Sequence, residues 1–503
     1  MHIVFAASEC VPFAKTGGLA DVVGALPPEL VKLGHEVTVY LPFYAGVRER
    51  LEKEAGAARS GERGEGDRGD GEWNWAVRSI TVPFEHYNRF VGVVDGGKRE
   101  GVQFYFLDCT ELFDRRELYG PKGGEFPNNW ERFGLYCRAV LEATKVLGVP
   151  DVFHVHDWQA SLIPVYLRTT YAGDPALNKA GTVLTIHNAG YQGWYPPATT
   201  QRLLFPWDVF TKDKLEQFDT FNFLKGGIVF SDMLTTVSRK YAEEIQTAEF
   251  GEKLDGVLLS RAADLRGILN GVDYSQWDPA TDGHLAAHYT PKDLSGKKEC
   301  RADLLHAFGL DKVPETMPVI GIVSRFATQK GFDLVARIAE RISQREVVVV
   351  ALGTGEPLYE RFFREWAFRH PDQVAVQIRY DDALAHKVEA GSDMFLMPSR
   401  YEPCGLNQIY SLKYGTVPIV RATGGLDDTI QEWYAEIGDG TGFKFGGMDP
   451  EALLGAIDRA LEAFQDKKGW TQLMRNGMAR HYGWEGPAKE YAEVYAEVAR
   501  RRS

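Results

Sequence analysis

The chain has 503 residues, too many for one ordinary core, and its length predicts two or three domains. Hydrophobic residues make up 44% of the chain, so a substantial core can form. The formal net charge of −13 argues against nonspecific nucleic-acid binding, because such binding needs a basic face.

The first half of the chain alternates between strand and helix patterns. An apolar stripe from Leu19 to Leu33 predicts the first helix, with a kink or a restart at Pro27 and Pro28. A second stripe predicts a helix over Trp130–Leu147. Short apolar or alternating runs predict strands at His2–Ser8, Val37–Leu41, Val77–Phe84, Val102–Leu107, Val183–Ile186 and Leu234–Val237.

Two segments of this half stand outside the alternation. Residues 51–72 are rich in Glu, Arg, Gly and Asp, and we expect a mobile surface insertion there. Lys15-Thr-Gly17-Gly18-Leu-Ala-Asp21 separates the first strand from the first helix and lacks the G-x-G-x-x-G fingerprint of dinucleotide binding. Such glycine turns are often purely structural, so these residues alone support a structural turn and a ligand loop about equally.

A strand beginning at Val152 ends in a polar cluster. His154 and His156 share one face of this strand because side chains alternate, and Asp157 follows. A His-x-His-Asp cluster could bind zinc, but the sequence shows no clear further ligand. Hydrogen bonding of a sugar or phosphate by His156 is therefore favoured, with a structural histidine as the alternative.

The next strand ends in a second polar group. His187 and Asn188 follow it, and Tyr191-Gln192-Gly-Trp-Tyr adds aromatic and amide groups that suit stacking on sugar rings. The alternative is a loop packed by its own aromatic side chains. The first half of the chain ends after this region, and a domain boundary is expected within residues 265–300.

The second half restarts the pattern, with predicted strands at Val319–Val323, Val347–Leu352, Met394–Met397 and Val417–Val420. Arg325 and Lys330 follow the first of these strands beside a glycine. Two cations at a strand exit suit a diphosphate, since Arg binds it bidentately and Lys as a point charge. A solvated basic loop is the alternative. Gly353-Thr-Gly355 lacks the third glycine of a dinucleotide loop, so NAD is not expected.

The last two predicted strands end in Glu402 and in Thr423-Gly424-Gly425. In a parallel sheet, ligands lie at the carboxyl ends of the strands. A carboxylate there can accept sugar hydroxyls, and a glycine turn that leads into a helix can present N–H groups to phosphate. The residues at this edge therefore predict a phosphorylated sugar as the ligand. Without the other motifs, Glu402 is better interpreted as an acid that complements a helix dipole.

Several motifs, in this order along the chain, resemble those of bacterial glycogen synthases and plant starch synthases. They are Lys15-Thr-Gly-Gly-Leu-Ala-Asp-Val, His154-Val-His-Asp-Trp, Thr185-Ile-His-Asn-Ala-Gly-Tyr-Gln-Gly, Thr235-Thr-Val-Ser, Gly267-Ile-Leu-Asn-Gly-Val-Asp, Ser324-Arg with Gln329-Lys-Gly, Pro398-Ser-Arg-Tyr-Glu-Pro-Cys-Gly-Leu and Thr423-Gly-Gly-Leu. The resemblance extends from His2 to about Tyr495, and together the motifs are highly specific.

The resemblance implies an α/β fold of two Rossmann-like domains that face a cleft, the GT-B arrangement. We expect an acceptor-side domain over residues 1–270, a sugar-nucleotide domain over residues 271–480, and a last helix within 481–503 that packs back on the first domain. The implied reaction is transfer of glucose from ADP-glucose to the non-reducing 4-OH of an α-1,4-glucan such as glycogen, with retention. No metal or cofactor is implied.

The resemblance also implies roles for individual residues. His156 would contact the transferred glucose, Arg325 and Lys330 would neutralise the leaving diphosphate, and Glu402 would hold the glucose hydroxyls. Lys15 would bind the sugar nucleotide, with Asp21 near the reacting sugar, Tyr380 stacked on the adenine, Cys404 beside Glu402, and Gly424-Gly425 around a phosphate. The other expected substrate contacts are Gly17, Gly18, His187, Asn188, Gln192, Gly405, Leu406 and Thr423.

Two positions depart from the family pattern. Tyr410 stands where many related transferases have a second acid, which favours front-face attack over a second carboxylate nucleophile, and Asn128 stands where many synthases have Asp. These departures keep open a glucan-binding protein without turnover. A transferase of the same fold with another donor or a small acceptor is a third hypothesis. A pyridoxal-phosphate phosphorylase is disfavoured because no lysine is singled out for a Schiff base.

The sequence also bears on where the protein acts. The start, Met-His-Ile-Val-Phe-Ala-Ala, lacks the basic segment of a signal peptide, and no apolar run approaches the ~20 residues of a membrane span. The five cysteines are odd in number and include no C-x-x-C pair, which is typical of reduced thiols. We expect a soluble, cytoplasmic protein with no membrane partner, and the oligomeric state stays open.

Overall fold

A computed structural model of the chain describes residues 1–61, 73–121 and 124–502. The chain divides into two compact units. Unit 1 comprises Met1–Val237, Ala242–Ile268 and Trp484–Ser503, and unit 2 comprises Ser238–Tyr241 and Leu269–Gly483. The boundaries and the acceptor and donor roles predicted for the domains stay predictions.

Strands and helices alternate along most of the chain. The strands are β1 (His2–Ala6), β2 (Glu36–Pro42), β3 (Trp75–Phe84), β4 (Tyr87–Arg99), β5 (Val102–Asp108), β6 (Val152–His156), β7 (Gly181–Ile186), β8 (Trp194–Tyr195), β9 (Glu216–Gln217), β10 (Thr220–Asn222), β11 (Met233–Thr236), β12 (Leu265–Gly267), β13 (Val319–Val323), β14 (Val348–Gly353), β15 (Val374–Ile378), β16 (Met394–Met397), β17 (Val417–Arg421) and β18 (Phe443–Phe445).

The α-helices are α1 (Gly18–Lys32), α2 (Ala45–Gly61), α3 (Thr110–Phe113), α4 (Asn129–Leu147), α5 (Asp157–Ala160), α6 (Leu162–Arg168), α7 (Thr199–Arg202), α8 (Phe223–Phe230), α9 (Arg239–Glu244), α10 (Asp255–Ser260), α11 (Gly296–Ala307), α12 (Phe332–Ser343), α13 (Pro357–Arg369), α14 (Asp382–Gly391), α15 (Asn407–Lys413), α16 (Gly424–Thr429), α17 (Pro450–Gln465), α18 (Lys467–Met478) and α19 (Glu485–Arg502). Short 3-10 turns occur at Trp207–Val209, Ala262–Asp264 and Thr328–Lys330.

Unit 1 is built on a nine-stranded sheet in the order β12-β11-β7-β6-β1-β2-β5-β4-β3. The strands from β12 to β5 pair in parallel, and β4 and β3 extend the sheet as antiparallel strands. The central strands β1 and β6 are almost wholly buried, as expected for a parallel sheet covered on both faces. Strand order reverses between β1 and β6, which places the ends of these two strands at a ligand-binding position of the fold.

Helix α1 runs without a break through Pro27 and Pro28. A kink or a restart was predicted at these prolines; the helix does not restart there, and the kink stays a prediction. Each proline removes a hydrogen-bond donor and costs about 3 kcal/mol in a helix interior. Burial of Leu26, Pro27 and Leu30 on the inner face stabilises the helix against this cost, since a fully buried leucine contributes about 1.5–3 kcal/mol.

The last helix, α19, packs within unit 1. Its inner face buries Tyr491, Tyr495 and Val498. A Cβ at Gly181, the first residue of β7, would lie 2.2 Å from Cγ1 of Val498, so glycine is needed for this close approach. The Tyr495 hydroxyl lies 2.8 Å from Nδ1 of His154 on β6. Helix α19 is thus tied to the strand that carries the polar cluster.

Unit 2 is built on a six-stranded parallel sheet in the order β15-β14-β13-β16-β17-β18. The strands observed at β13 and β16 have the bounds predicted from the sequence. Helices α12 and α17 pack their apolar faces on the sheet, with Trp366 of α13 fully buried in the same core. Strand order reverses between β13 and β16, and this is where a ligand of a doubly wound sheet binds.

The insertion predicted over residues 51–72 is only partly described. Residues 51–61 continue helix α2, and residues 62–72 lie outside the described part of the chain. Within the described residues, no helix is both long and apolar enough to cross a membrane.

Candidate active site

The carboxyl ends of β6 and β7 bring two imidazoles together in unit 1. His156 is the last residue of β6, and His187 follows β7, its parallel neighbour. Nδ1 of His156 lies 3.0 Å from Nε2 of His187. Burial lowers the pKa of His156 well below its usual range and that of His187 to about 3. Both rings are therefore neutral near pH 7.

The second nitrogen of His156 is available for a ligand. The His156 side chain is fully buried, and its Nε2 has no hydrogen-bond partner among the described residues. Such a buried polar atom costs about 1–3 kcal/mol when it is left unsatisfied. A bound hydroxyl group would remove this cost.

His154, by contrast, has both ring nitrogens engaged within the protein. Its Nε2 lies 2.6 Å from Oγ1 of Thr185, and its Nδ1 contacts the Tyr495 hydroxyl. Neither nitrogen is directed at an ion shared with His156, so this geometry disfavours the zinc alternative and gives His154 a structural role.

The loops after β6 and β7 are held by buried side chains. Asp157 Oδ1 accepts the backbone N–H of His187 at 2.7 Å, and burial raises the pKa of Asp157 to about 7. Asn188 Oδ1 accepts the backbone N–H of Gly190 at 2.9 Å. Gln192 donates to the carbonyls of Ala189 and Glu252 and accepts from Asn222, so its amide has a structural role. Substrate contacts by His187, Asn188 and Gln192 stay predictions.

The loop after β1 carries the predicted Lys15 and Asp21. Nζ of Lys15 lies 2.7 Å from Oδ1 of Asp21, and both side chains remain partly exposed. Burial raises the pKa of Asp21, and the hydrogen bond from Lys15 partly offsets this. A Cβ added at Gly17 or Gly18 would meet no atom within 4 Å, so the fold itself does not require glycine at these positions.

Glu9 anchors this loop and was not found from the sequence. Its carboxylate accepts the backbone N–H groups of Thr16 and Gly17 and the Thr16 hydroxyl, the last at 2.6 Å. Tyr119 donates its hydroxyl to the same carboxylate at 2.5 Å, and Glu9 is almost fully buried. The sequence did offer one signal for Glu9, since it lies just past the first strand, and ligands bind at the carboxyl ends of such strands.

In unit 2, the exits of β13 and β16 bring Lys330 and Glu402 together. Nζ of Lys330 lies 2.6 Å from Oε2 of Glu402, and their side chains are 21% and 8% exposed. Ser399, which was not predicted, donates its hydroxyl to the same oxygen at 2.9 Å. Both charged residues were predicted to follow strands. Because β13 and β16 are neighbours in the sheet, the two side chains lie close enough to form an ion pair.

Arg325 lies on the same edge and is exposed to solvent. Its Nη2 donates to Oε1 of Gln329 at 3.1 Å, which is the hydrogen bond seen for this guanidinium in the described residues. A largely uncommitted guanidinium near Lys330 forms a cationic edge that is suited to a diphosphate.

The glycine turn after β17 packs tightly on the Glu402 loop. A Cβ at Gly424 would lie 1.9 Å from the carbonyl oxygen of Glu402. The Gly425 N–H donates to the carbonyls of Glu402 and Pro403 at 3.1 and 3.2 Å. Glycine is thus required by the close approach of two loops, and the Gly425 N–H is not directed at a ligand. Phosphate binding by Thr423, Gly424 and Gly425 stays a prediction.

The other predicted contacts differ in exposure. Burial raises the pKa of the Cys404 thiol to about 12, so this thiol is not a nucleophile near neutral pH. Gly405 has φ +71° and Leu406 precedes helix α15. Tyr380 follows β15 and is 82% exposed, which leaves its ring open for stacking. Roles for these residues stay predictions.

The two departures from the family pattern have partners within the fold. Tyr410 stacks on Trp277 with ring centroids 4.0 Å apart, and Asn128 Oδ1 accepts a hydrogen bond from Arg115 at 3.1 Å. At both positions, the side chain packs or hydrogen-bonds within the protein, and neither side chain is an acid.

Comparisons with known proteins indicate the same family for both halves of the chain. Residues 2–260 match the family model described as the starch synthase catalytic domain, and residues 311–473 match glycosyl transferases group 1. A glycogen synthase from Koribacter versatilis is 55% identical over 504 residues, which span 100% of this chain and 99% of that protein. The chain belongs to the glycogen and starch synthase family.

Relatives and solved structures extend this result. A glycogen synthase from Anaeromyxobacter dehalogenans (strain 2CP-C) is 46% identical over 99% of this chain and 100% of that protein. The catalytic domain of starch synthase IV from Arabidopsis thaliana, bound to ADP and acarbose, has a TM-score of 0.85 at 31% identity over 99% of both chains. A sucrose-phosphate synthase from Thermosynechococcus elongatus, at 16% identity and a TM-score of 0.58, shares the fold.

Membership of the glycogen and starch synthase family establishes the enzyme class. The predicted α/β fold of the GT-B class is confirmed, and the chain is a glucosyltransferase of glycogen or starch synthesis. A member of this family uses a nucleotide-sugar donor and a glucan acceptor.

Proposed function

We propose that this glucosyltransferase takes glucose from ADP-glucose and attaches it, with retention, to the non-reducing 4-OH of an α-1,4-glucan such as glycogen. The observation that carries the residue assignment is the Lys330–Glu402 pair, with Arg325 on the same edge of the unit 2 sheet. The starch synthase IV structure named above holds ADP, and this supports the choice of nucleotide.

The cations act on the leaving group. Breaking the bond between glucose and the diphosphate builds negative charge on the nucleotide. Arg325 and Lys330 are placed to stabilise that charge, and removing one such preorganised group costs on the order of 3 kcal/mol of barrier. The exposed ring of Tyr380 would stack on the adenine.

The carboxylate orients the sugar. Glu402 has one oxygen on Lys330 and Ser399, and its other oxygen is the one left to accept glucose hydroxyls. A carboxylate neutralised by an ion pair is a weak nucleophile. With Tyr410 at the position of the second acid, this arrangement favours front-face attack, in which leaving group and acceptor share one side of the sugar.

Unit 1 supplies further contacts. We assign the unpartnered Nε2 of His156 to a hydroxyl of the transferred glucose. The loop from Lys15 to Asp21, anchored by Glu9, would contact the sugar nucleotide, and the open space at Gly17 and Gly18 permits the backbone to approach it closely.

The test is ADP release by the purified full chain with ADP-glucose and glycogen. We expect Lys330→Ala and Glu402→Ala to lower kcat on the order of 100-fold. Lys413→Ala is a matched control, because Lys413 also forms a part-exposed ion pair in unit 2, with Asp278 at 2.9 Å. If both site variants keep the rate of the control, the assignment is wrong.

A donor comparison tests the nucleotide. We expect a higher kcat/KM with ADP-glucose than with UDP-glucose, and the opposite order would overturn the proposed donor. Glycogen binding by calorimetry without release of nucleotide from either donor would instead support a binding protein without turnover.

A further inference from the structure

Unit 2 holds a second cluster of chemically active side chains, and none of its members is assigned to the strand-end site. His284, Asp382 and His386 each present one potential ligand atom, and these three atoms all lie within 4.8 Å of one another. Asp382 and His386 are one helical turn apart on α14 and therefore lie on the same face. His284 comes from the segment that precedes α11.

His386 is held in the manner of a metal ligand. Its Nδ1 lies 2.7 Å from Oδ2 of Asp282, and both side chains are almost fully buried. Asp282 also accepts the Tyr414 hydroxyl at 2.5 Å and the backbone N–H of His284 at 2.9 Å. A carboxylate on Nδ1 fixes the tautomer and leaves the Nε2 lone pair for coordination, as in carboxylate–histidine–zinc arrangements.

The ring of His386 is also fixed in orientation. Trp277 stacks on it with centroids 3.6 Å apart and an interplanar angle of 11°. Packing and a buried hydrogen bond together preorganise this imidazole, which lowers the entropy lost on binding a ligand.

The other two donors are exposed and not engaged with each other. In the described residues, the side chains of His284 and Asp382 make no hydrogen bond, although both lie beside His386. Ligand atoms around a tetrahedral ion with bonds of about 2.0–2.1 Å are about 3.4 Å apart. Metal binding would therefore draw the exposed His284 and Asp382 side chains closer to His386.

We propose that His284, Asp382 and His386 bind one divalent metal ion of the zinc type. Two imidazoles and one carboxylate favour zinc over magnesium or calcium, which prefer oxygen ligands. Three protein ligands leave a further position for water. The ion would link the segment before α11 to α14 and would stabilise unit 2.

The test is Zn²⁺ binding to the untagged, chelator-stripped full chain, measured by competition with a chromophoric chelator. We expect one equivalent to bind. His284→Ala and Asp382→Asn should each weaken binding at least tenfold, and both replace exposed side chains, so folding is preserved. His306→Ala is the control, because His306 is an exposed histidine paired with a single carboxylate, Asp311, at 2.8 Å.

Two further readouts are independent of transfer activity. Co²⁺ should give visible absorption bands in the unaltered chain that are lost in His284→Ala and Asp382→Asn but kept in His306→Ala. Saturating Zn²⁺ should raise the melting temperature of the unaltered chain and of His306→Ala only. The proposal is overturned if His284→Ala and Asp382→Asn bind Zn²⁺ as tightly as the unaltered chain, or if Mg²⁺ competes equally.

Discussion

The strand-end clusters of the two units differ in charge. In unit 1, His156 and His187 are buried, neutral at pH 7 and held by hydrogen bonds. In unit 2, Lys330 and Glu402 form an ion pair, and Arg325 is exposed on the same edge. Neutral donors suit a sugar hydroxyl, whereas cations suit a diphosphate. The difference shows that the ends of parallel strands can carry either uncharged hydrogen-bonding groups or an ion pair, depending on which residue types follow the strand.

The largest expected effect is on kcat, and it should be greater for the charged cluster of unit 2 than for the neutral cluster of unit 1. We expect Arg325→Ala to lower kcat on the order of 100-fold, because it removes a cation from a developing negative charge. His156→Asn should cost only roughly tenfold, since a hydrogen bond between uncharged groups contributes about 0.5–1.5 kcal/mol. Steady-state ADP release measures both. Arg337→Ala, an exposed arginine on α12, is the control. A larger loss in His156→Asn would reverse the comparison.

A smaller effect, on the free energy of unfolding, should distinguish a glycine of unit 2 from a glycine of unit 1. Gly331, after Lys330, has φ +73°, and a Cβ there would lie 1.9 Å from the Pro398 carbonyl oxygen. Gly331→Ala should therefore lower the free energy of unfolding by about 2 kcal/mol or more. Gly17 has φ −155° and open space around its Cβ position, so Gly17→Ala should change stability by less than about 0.5 kcal/mol while raising KM for the donor. Thermal unfolding and donor kinetics check both, and equal destabilisation would contradict this reading.

The smallest effect concerns pH and the buried histidines of unit 1. Burial lowers the pKa of His154 well below its usual range. Below an unfolded-state pKa of about 6.5, the unfolded chain binds a proton that the folded chain does not, so stability is full above that pH and falls as pH decreases. Asp157, with its pKa raised to about 7, contributes in the opposite direction between about pH 7 and 4.

Replacing one buried histidine should therefore flatten this dependence. We expect His154→Asn to reduce the slope of unfolding free energy against pH, between pH 5 and 6, by up to about 1.4 kcal/mol per pH unit. Urea unfolding followed by tryptophan fluorescence measures the slope. Thr185→Val removes a hydrogen-bond partner of His154 but no titrating group, so it should keep the slope of the unaltered chain. Identical slopes in all three proteins would refute the assignment.

Sequence reasoning located the elements better than their interactions. Apolar periodicity predicted β13 and β16 with their observed bounds. At Pro27 and Pro28 it predicted a kink or a restart, and the helix continues without a restart because burial of one face outweighs local propensity. It also missed Glu9, which binds the nearby residues Thr16 and Gly17 and the distant residue Tyr119. The position of Glu9 just past the first strand was a local signal, but its contact with Tyr119 is visible only in the tertiary structure.

What the amino-acid order determined by itself was the succession of strands, loops and helices and the presence of His156, Arg325, Lys330 and Glu402 at strand ends. These properties are local, because they follow from side-chain periodicity and turn residues over short stretches. Tertiary structure alone decided that Lys330 pairs with Glu402, that Tyr495 engages His154, and that His284 meets His386. Each of those contacts joins residues far apart in the chain, and only strand order and helix packing bring them within bonding distance.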